Sequence, residues 1–133
     1  MEIKYNESTE LRPQGERVID APLVKINITK FIKQLKSESA WKKNDRNAMT
    51  VYKADGMRIV LMALHKKAKL KRHTADGIIS VQLLQGKITF ATDDKSVELK
   101  KGQMITLHKK MPHSVTASKK SVFLLTVAIS SEK

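Results

Sequence analysis

From Ala48 onward apolar side chains recur at every second position, in short runs separated by turn residues. Met49–Lys53 and Met57–His65 flank Ala54-Asp55-Gly56, and an Asp-Gly pair between two such runs signals a hairpin. Lys66–Ala68 reads as a bend, Leu70–His73 resumes extension, and Asp76-Gly77 turns the chain into Ile78–Leu84. Gln85-Gly86 and Asp93-Asp94 bracket Lys87–Thr92, which makes a tight meander. Val97–Leu99, Met104–His108, His113–Thr116 and Val122–Ile129 supply four more runs. About nine short strands at regular spacing predict an all-β, antiparallel barrel or jelly roll.

The N-terminal third has a different period. Met1–Arg17 is polar and contains the turn Arg12-Pro13-Gln14-Gly15, so its first dozen residues read as an extended arm. Val18–Ile26 mixes β-branched residues with Pro22, which fits only an edge strand. Asn27 or Thr29 can then cap a helix in which Ile28, Phe31, Ile32 and Leu35 share one face and Lys30, Lys33 and Lys36 the other, running to about Ser39. A narrow apolar stripe over three turns is expected to cover the core of its own domain, with Trp41 closing over the end of the same patch. Trp41–Arg46 reads as a polar connection. The expected layout is therefore an arm, an edge strand and one short amphipathic helix in residues 1–47, packed on a barrel formed by residues 48–133 as a single domain. Val122–Ile129 is apolar on both strand faces, so it needs cover on both sides, either from the N-terminal segment or from a second subunit. A homodimer is expected on that ground.

With 133 residues the chain can bury a core without a metal or disulfide staple. It has no cysteine, which removes disulfides, thiolate nucleophiles and cysteine metal sites and fits a reducing cytoplasm. Met1–Glu10 lacks the features of a secretory signal, and no apolar run approaches the roughly 20 residues needed to span a bilayer, so no membrane partner is expected. The net charge of +13 changes the picture more. Residues 1–20 hold five acids against three bases, a net of −2, so the remainder carries +15. Lys66, Lys67, Lys69, Lys71 and Arg72 form the densest run, and Lys109-Lys110 and Lys119-Lys120 lie at turns. Specific nucleic-acid sites add arginine forks and stacking aromatics, yet here lysine dominates and aromatics are 5% of the chain. The charge therefore implies non-specific polyanion attraction.

The candidate chemistry lies between Leu64 and His113, which holds all four histidines. Lys67-x5-His73-x-Ala75-x3-Ile79-x6-Gly86 and Gly102-x5-His108-x-Lys110-x2-His113 reproduce the spacing of the two motifs of the cupin superfamily, and the stretch Ala48–Ile129 resembles that family. The resemblance implies a small jelly-roll barrel, with His73 and His113 at two of four metal-ligand positions and Gly86 and Gly102 as structural glycines. Ala75 and Ile79 stand where the family has a histidine and a glutamate. If Ile79 points inward, strand alternation turns Val81 and Leu83 inward with it and Ser80 and Gln82 outward. The expected pocket is then lined by His73, Ala75, Ile79, Val81, Leu83 and His113. It is largely apolar, with no cofactor or only a weakly held divalent transition metal such as zinc, iron or nickel.

His65 or His108 can be weighed as a third ligand, but both read as exposed. Asp76 reads as a turn residue, and Met104 and Met111 read as gap fillers near the pocket mouth. No phosphate loop, Gly-x-Ser-x-Gly elbow or inward carboxylate pair is present in the sequence. The expected role is small-molecule binding by a cupin-like protein. A metal-dependent enzyme of dioxygenase or isomerase type using His73 and His113 is the alternative, and a polyanion-binding protein with a basic surface is the third.

Overall fold

The computed structural model of the protein describes residues 4–6 and 17–130. Two short strands, β1 (Lys4–Asn6) and β2 (Arg17–Asp20), pair with each other. The expected edge strand Val18–Ile26 is thus cut back to β2, and no strand continues through Pro22. The predicted turn at Arg12–Gly15 lies outside the described residues. Arg17 donates from its guanidinium to the carbonyl of Thr50, at the bulge in strand β3 (Arg46–Lys53), which ties this hairpin to the larger sheet.

The expected helix forms as α1 (Ile28–Ser37), capped by Asn27, whose side-chain oxygen accepts from the Lys30 N–H at 3.1 Å. One helix was expected, and two are present among the described residues. Glu38 is extended, ends α1, and starts α2 (Ser39–Lys43), so Trp41 lies in a helix and not in a loop. A buried amide explains the break. Asn47 donates at 2.9 Å both to the Leu35 carbonyl, one of the acceptors left open at the helix end, and to the Glu38 carboxylate.

The remaining strands are β4 (Met57–Leu64), β5 (Lys69–His73), β6 (Ile78–Gln85), β7 (Lys87–Thr92), β8 (Ser96–Lys100), β9 (Met104–Leu107), β10 (His113–Ala117) and β11 (Ser121–Ala128). With β3 they make the nine expected. They form two antiparallel sheets, of order β3-β4-β11-β6-β9 and β5-β10-β7-β8. The molecule is β-dominated, as expected, although among the described residues no ladder joins the two sheets into a closed barrel.

The five-stranded sheet is apolar on both faces. Its inner face sends Leu64, Ile79, Val81, Leu83, Phe123 and Val127 into a core shared with Ile88, Phe90, Leu99 and Val115 of the second sheet. Its outer face sends Met49, Val51, Leu61, Ala63 and Val122 into a second core with Leu35 and Trp41 of the helices. Full burial of Leu35 alone is worth about 1.5–3 kcal/mol. The cover that β11 needs on both faces is present within the chain, from the second sheet on the inner face and from the helices on the outer one.

Gly86 fixes one end of the sheets. Its φ of 84° is the left-handed conformation, and a Cβ there would lie 2.2 Å from the Lys120 carbonyl oxygen. Next to it, the buried Ser121 hydroxyl accepts from the Lys87 N–H at 3.0 Å and lies 2.7 Å from the Lys119 carbonyl. Gly56 has no such constraint, since a Cβ there meets only an oxygen at 3.9 Å. Gly86→Ala should therefore cost about 2–3 kcal/mol in urea unfolding, and Gly56→Ala less than about 0.5 kcal/mol. Equal effects would contradict this account of the turn.

Candidate functional site

β5 and β7 end, and β10 begins, at one end of the four-stranded sheet. His113 opens β10 and stands in register with His73 of β5 on one side and Thr92 of β7 on the other. Both imidazoles come together there, with ring centroids 4.3 Å apart and planes at 59°. The Phe90 ring backs His113 almost in parallel, at 5.3 Å and 14°. His113 is buried and His73 is exposed, so the pair runs from the core to the surface.

Each imidazole is held by its Nδ1. His113 Nδ1 lies 2.9 Å from the Met111 carbonyl oxygen, and His73 Nδ1 lies 2.6 Å from that of Lys71. A carbonyl only accepts, so both Nδ1 atoms carry a proton, and a ring in its neutral form then presents a lone pair at Nε2. Burial pushes His113 below the ordinary imidazole value of 6.5; the Met111 carbonyl opposes that shift, and the neighbouring His73 adds to it. At neutral pH the buried ring is an acceptor.

The interior between the sheets is apolar along its length, from Ile79 near the histidine end to Leu83 near the other. Ile79, Val81 and Leu83 alternate inward into the first core, and Ser80 and Gln82 take the opposite face. Ala75 is half-buried against the same core. Met62, Leu70 and Leu125 also pack there without being fully buried, and Val60, the cross-strand partner of Leu125, shares that face. Phe90 and this half-buried set were not singled out from the sequence, because their convergence depends on cross-strand register. The inward parity of Phe90 along Lys87–Thr92 was the available signal.

The other histidines lie elsewhere. His65 follows the far end of β4, where it stacks on Trp41 at 3.5 Å and 15° and its Nε2–H donates to the Trp41 carbonyl at 2.8 Å. It is half-buried, contrary to the expectation of exposure, because the missed helix α2 brings the indole over it. His108 is exposed and lines a separate cleft of about 220 Å³ with Asp76, Ile78, Lys109 and Ala128. Met104 is exposed and pairs with Gln82, away from His113, so it fills no gap there; Met111 is exposed as well. Arg72 and Asp93 form a two-pronged ion pair, 2.9 and 2.7 Å, that ties the end of β5 to the β7–β8 turn. The arginine holds the Asp93 carboxyl below its usual range.

The donor set does not suit a firmly held metal. Nδ1–H bonds to carbonyls are how metal-binding histidines are commonly oriented, but a stable site needs further donors. Ile79, only 2% exposed, and Ala75 offer none, and among the described residues no group of three or more His, Asp or Glu side chains is placed to hold an ion.

Residues 63–133 match the family of AraC-like ligand-binding domains. The chain belongs to this family. Comparison with curated proteins finds no match. Among solved structures, a conserved protein of unknown function from Streptococcus pyogenes superposes with a TM-score of 0.68 at 21% identity, covering 86% of this chain and 93% of that one. A cupin superfamily protein from Desulfitobacterium hafniense gives 0.63 at 17%, with 65% and 80% covered. A transcriptional regulator of the HTH_3 family from Vibrio cholerae gives 0.59 at 22%, with 65% and 52% covered. At these identities the likeness shows a shared fold, and that fold is the cupin fold. In this AraC-like ligand-binding domain the match begins within β4 and takes in both histidines of the pair.

The His113 environment sets a pH dependence. The unfolded chain takes up a proton near pH 6.5 that the folded chain does not yet accept, so stability present above that pH is lost as pH falls, until the folded imidazole protonates too. Urea midpoints measured from pH 8 to 5 should fall more steeply for the natural protein than for His113→Gln. Parallel profiles would contradict the depressed imidazole.

Proposed function

We propose that this chain binds a small molecule between its two sheets, read as the two halves of a cupin barrel, without a resident metal ion. In this reading residues 48–133 are the container and residues 1–47 its cover. The ligand meets His73, Ala75, Ile79, Val81, Leu83 and His113. The observation that carries the proposal is the pair of imidazoles 4.3 Å apart, whose Nδ1–H bonds leave two Nε2 acceptors beside an apolar wall. Such a site complements a mainly apolar molecule carrying one or two hydroxyl or N–H donors. A cytoplasmic location belongs to the same reading. A homodimer belongs to the same reading as an assembly to be tested by light scattering, with the helices as the alternative cover of the outer face of β11.

The metal-dependent enzyme is the weaker alternative, since two neutral donors and an aliphatic wall do not compensate for removing a divalent ion from water. Weak polyanion attraction is a second activity supported by the net charge of +13.

Three measurements test the proposal. Metal analysis of the purified protein should find far less than one ion per chain; stoichiometric metal that is lost in His113→Ala would overturn the reading in favour of the enzyme. Ala75→His with Ile79→Glu restores four donors, and its melting temperature should rise when Zn²⁺ is added, whereas that of the natural protein should not. In a thermal-shift screen of small hydroxylated and amide compounds, hits should stabilise the natural protein and lose their effect in His73→Ala and in His113→Ala. Hits indifferent to both substitutions would place binding outside the pair.

A further inference from the structure

The end of the molecule opposite the histidine pair gathers lysines from four separate segments. β4, β6 and β10 end there and β5, β7 and β11 begin there, so the β4–β5, β6–β7 and β10–β11 turns meet. The backbone stitches them together. Lys67 N–H donates to the Ala117 carbonyl at 2.8 Å, Ser118 N–H donates to that of Lys87 at 2.9 Å, and Gly86 lies against the Lys120 carbonyl. The last turn of α1 joins them through Lys36 Nζ, which donates to Gln85 Oε1 at 2.8 Å. Burial and the Lys120 charge both lower the affinity of Lys36 for its proton, so the two ammonium groups feel each other.

Lys67 here and Lys110 at the other end are both left-handed, so it is the gathering of like charges and not backbone strain that distinguishes this pole. Among the described residues, only Lys87 of this group has a carboxylate partner, Glu98 at 3.4 Å. We propose that this pole is a docking surface for the phosphate backbone of a nucleic-acid duplex, held by Lys36, Lys66, Lys67, Lys87, Lys119 and Lys120. The proposal rests on the polyanion reading above and adds a location and a partner to it.

A duplex fits better than a single strand or a bilayer. Single-strand surfaces stack bases on aromatic rings, and among the described side chains no Phe, Trp or Tyr is exposed. Membrane-surface docking adds inserted apolar side chains, and of the exposed large apolar residues only Met104 lies towards this pole. Lysine-only contacts to phosphate position a duplex without reading its sequence.

The test is fluorescence anisotropy with a labelled DNA duplex of about 20 base pairs across a salt series, since each phosphate contact adds about −0.9 to the slope of log K against log salt. The natural protein should bind two unrelated sequences equally, with micromolar or weaker affinity near 0.15 M salt and steep loss above it. Lys67→Gln/Lys119→Gln/Lys120→Gln should flatten the slope by roughly 2.5. Lys53→Gln/Lys95→Gln/Lys110→Gln removes the same charge at the other end and should leave the slope within about 0.5 of the natural value. Circular dichroism checks that both variants are folded. Equal flattening in the two variants would overturn the localised site while keeping the polyanion reading. No duplex binding even at low salt would overturn both. Binding to phosphatidylserine–phosphatidylcholine vesicles, but not to the duplex, would assign the pole to membranes and overturn the proposal.

Discussion

Strand β11 lies between β4 and β6 and carries apolar side chains on both faces, so the central sheet must be buried twice. On its inner face Phe123, Leu125 and Val127 require the second sheet; on its outer face Val122 and Leu124 require the helices. The rest of the architecture follows from that double demand. Asn47 anchors the end of α1 to β3 and keeps the outer cover in place. Gly86 and Ser121 let the β6–β7 turn approach the start of β11 closely enough for the two sheets to share one interior.

That interior decides what chemistry the fold can host. A cupin-type site needs donors converging from both sheets, and here the four-stranded sheet contributes imidazoles while the five-stranded sheet contributes aliphatic side chains. Ile79 packs in the inner core at the position where the cupin motif has a carboxylate. What remains is polarity on one wall, oriented by two backbone carbonyls, opposite hydrocarbon.

Much of this was legible in the sequence, because period-two alternation reports burial directly. The inward set Ile79, Val81 and Leu83 and the amphipathic helix follow from spacing that local sterics enforce, whereas the meeting of His73 with His113 was implied by the resemblance to the cupin motifs. What could not be read depended on contacts distant in sequence. Trp41 lies in a second helix because a buried asparagine further along breaks the first, and His65 is covered because that helix returns over it. The half-buried wall of Val60, Met62 and Leu70 depends on which strands face each other, which alternation within one strand does not specify. The basic pole is of the same kind, since its lysines are scattered along the chain and are collected only by topology.

The central claim is that His113, the buried member of the imidazole pair, is a neutral, Nδ1-protonated acceptor at the edge of an apolar core. Long-range ¹H–¹⁵N correlation spectra of the histidine rings in the purified protein near pH 7.5 test it most directly, because they report the protonation and metallation of each ring nitrogen. The account predicts the neutral Nδ1–H tautomer for His113, with an unliganded Nε2 whose resonance does not move when a chelator is added. A metal-shifted Nε2 that reverts with chelator, or an imidazolium pattern at that pH, would contradict it.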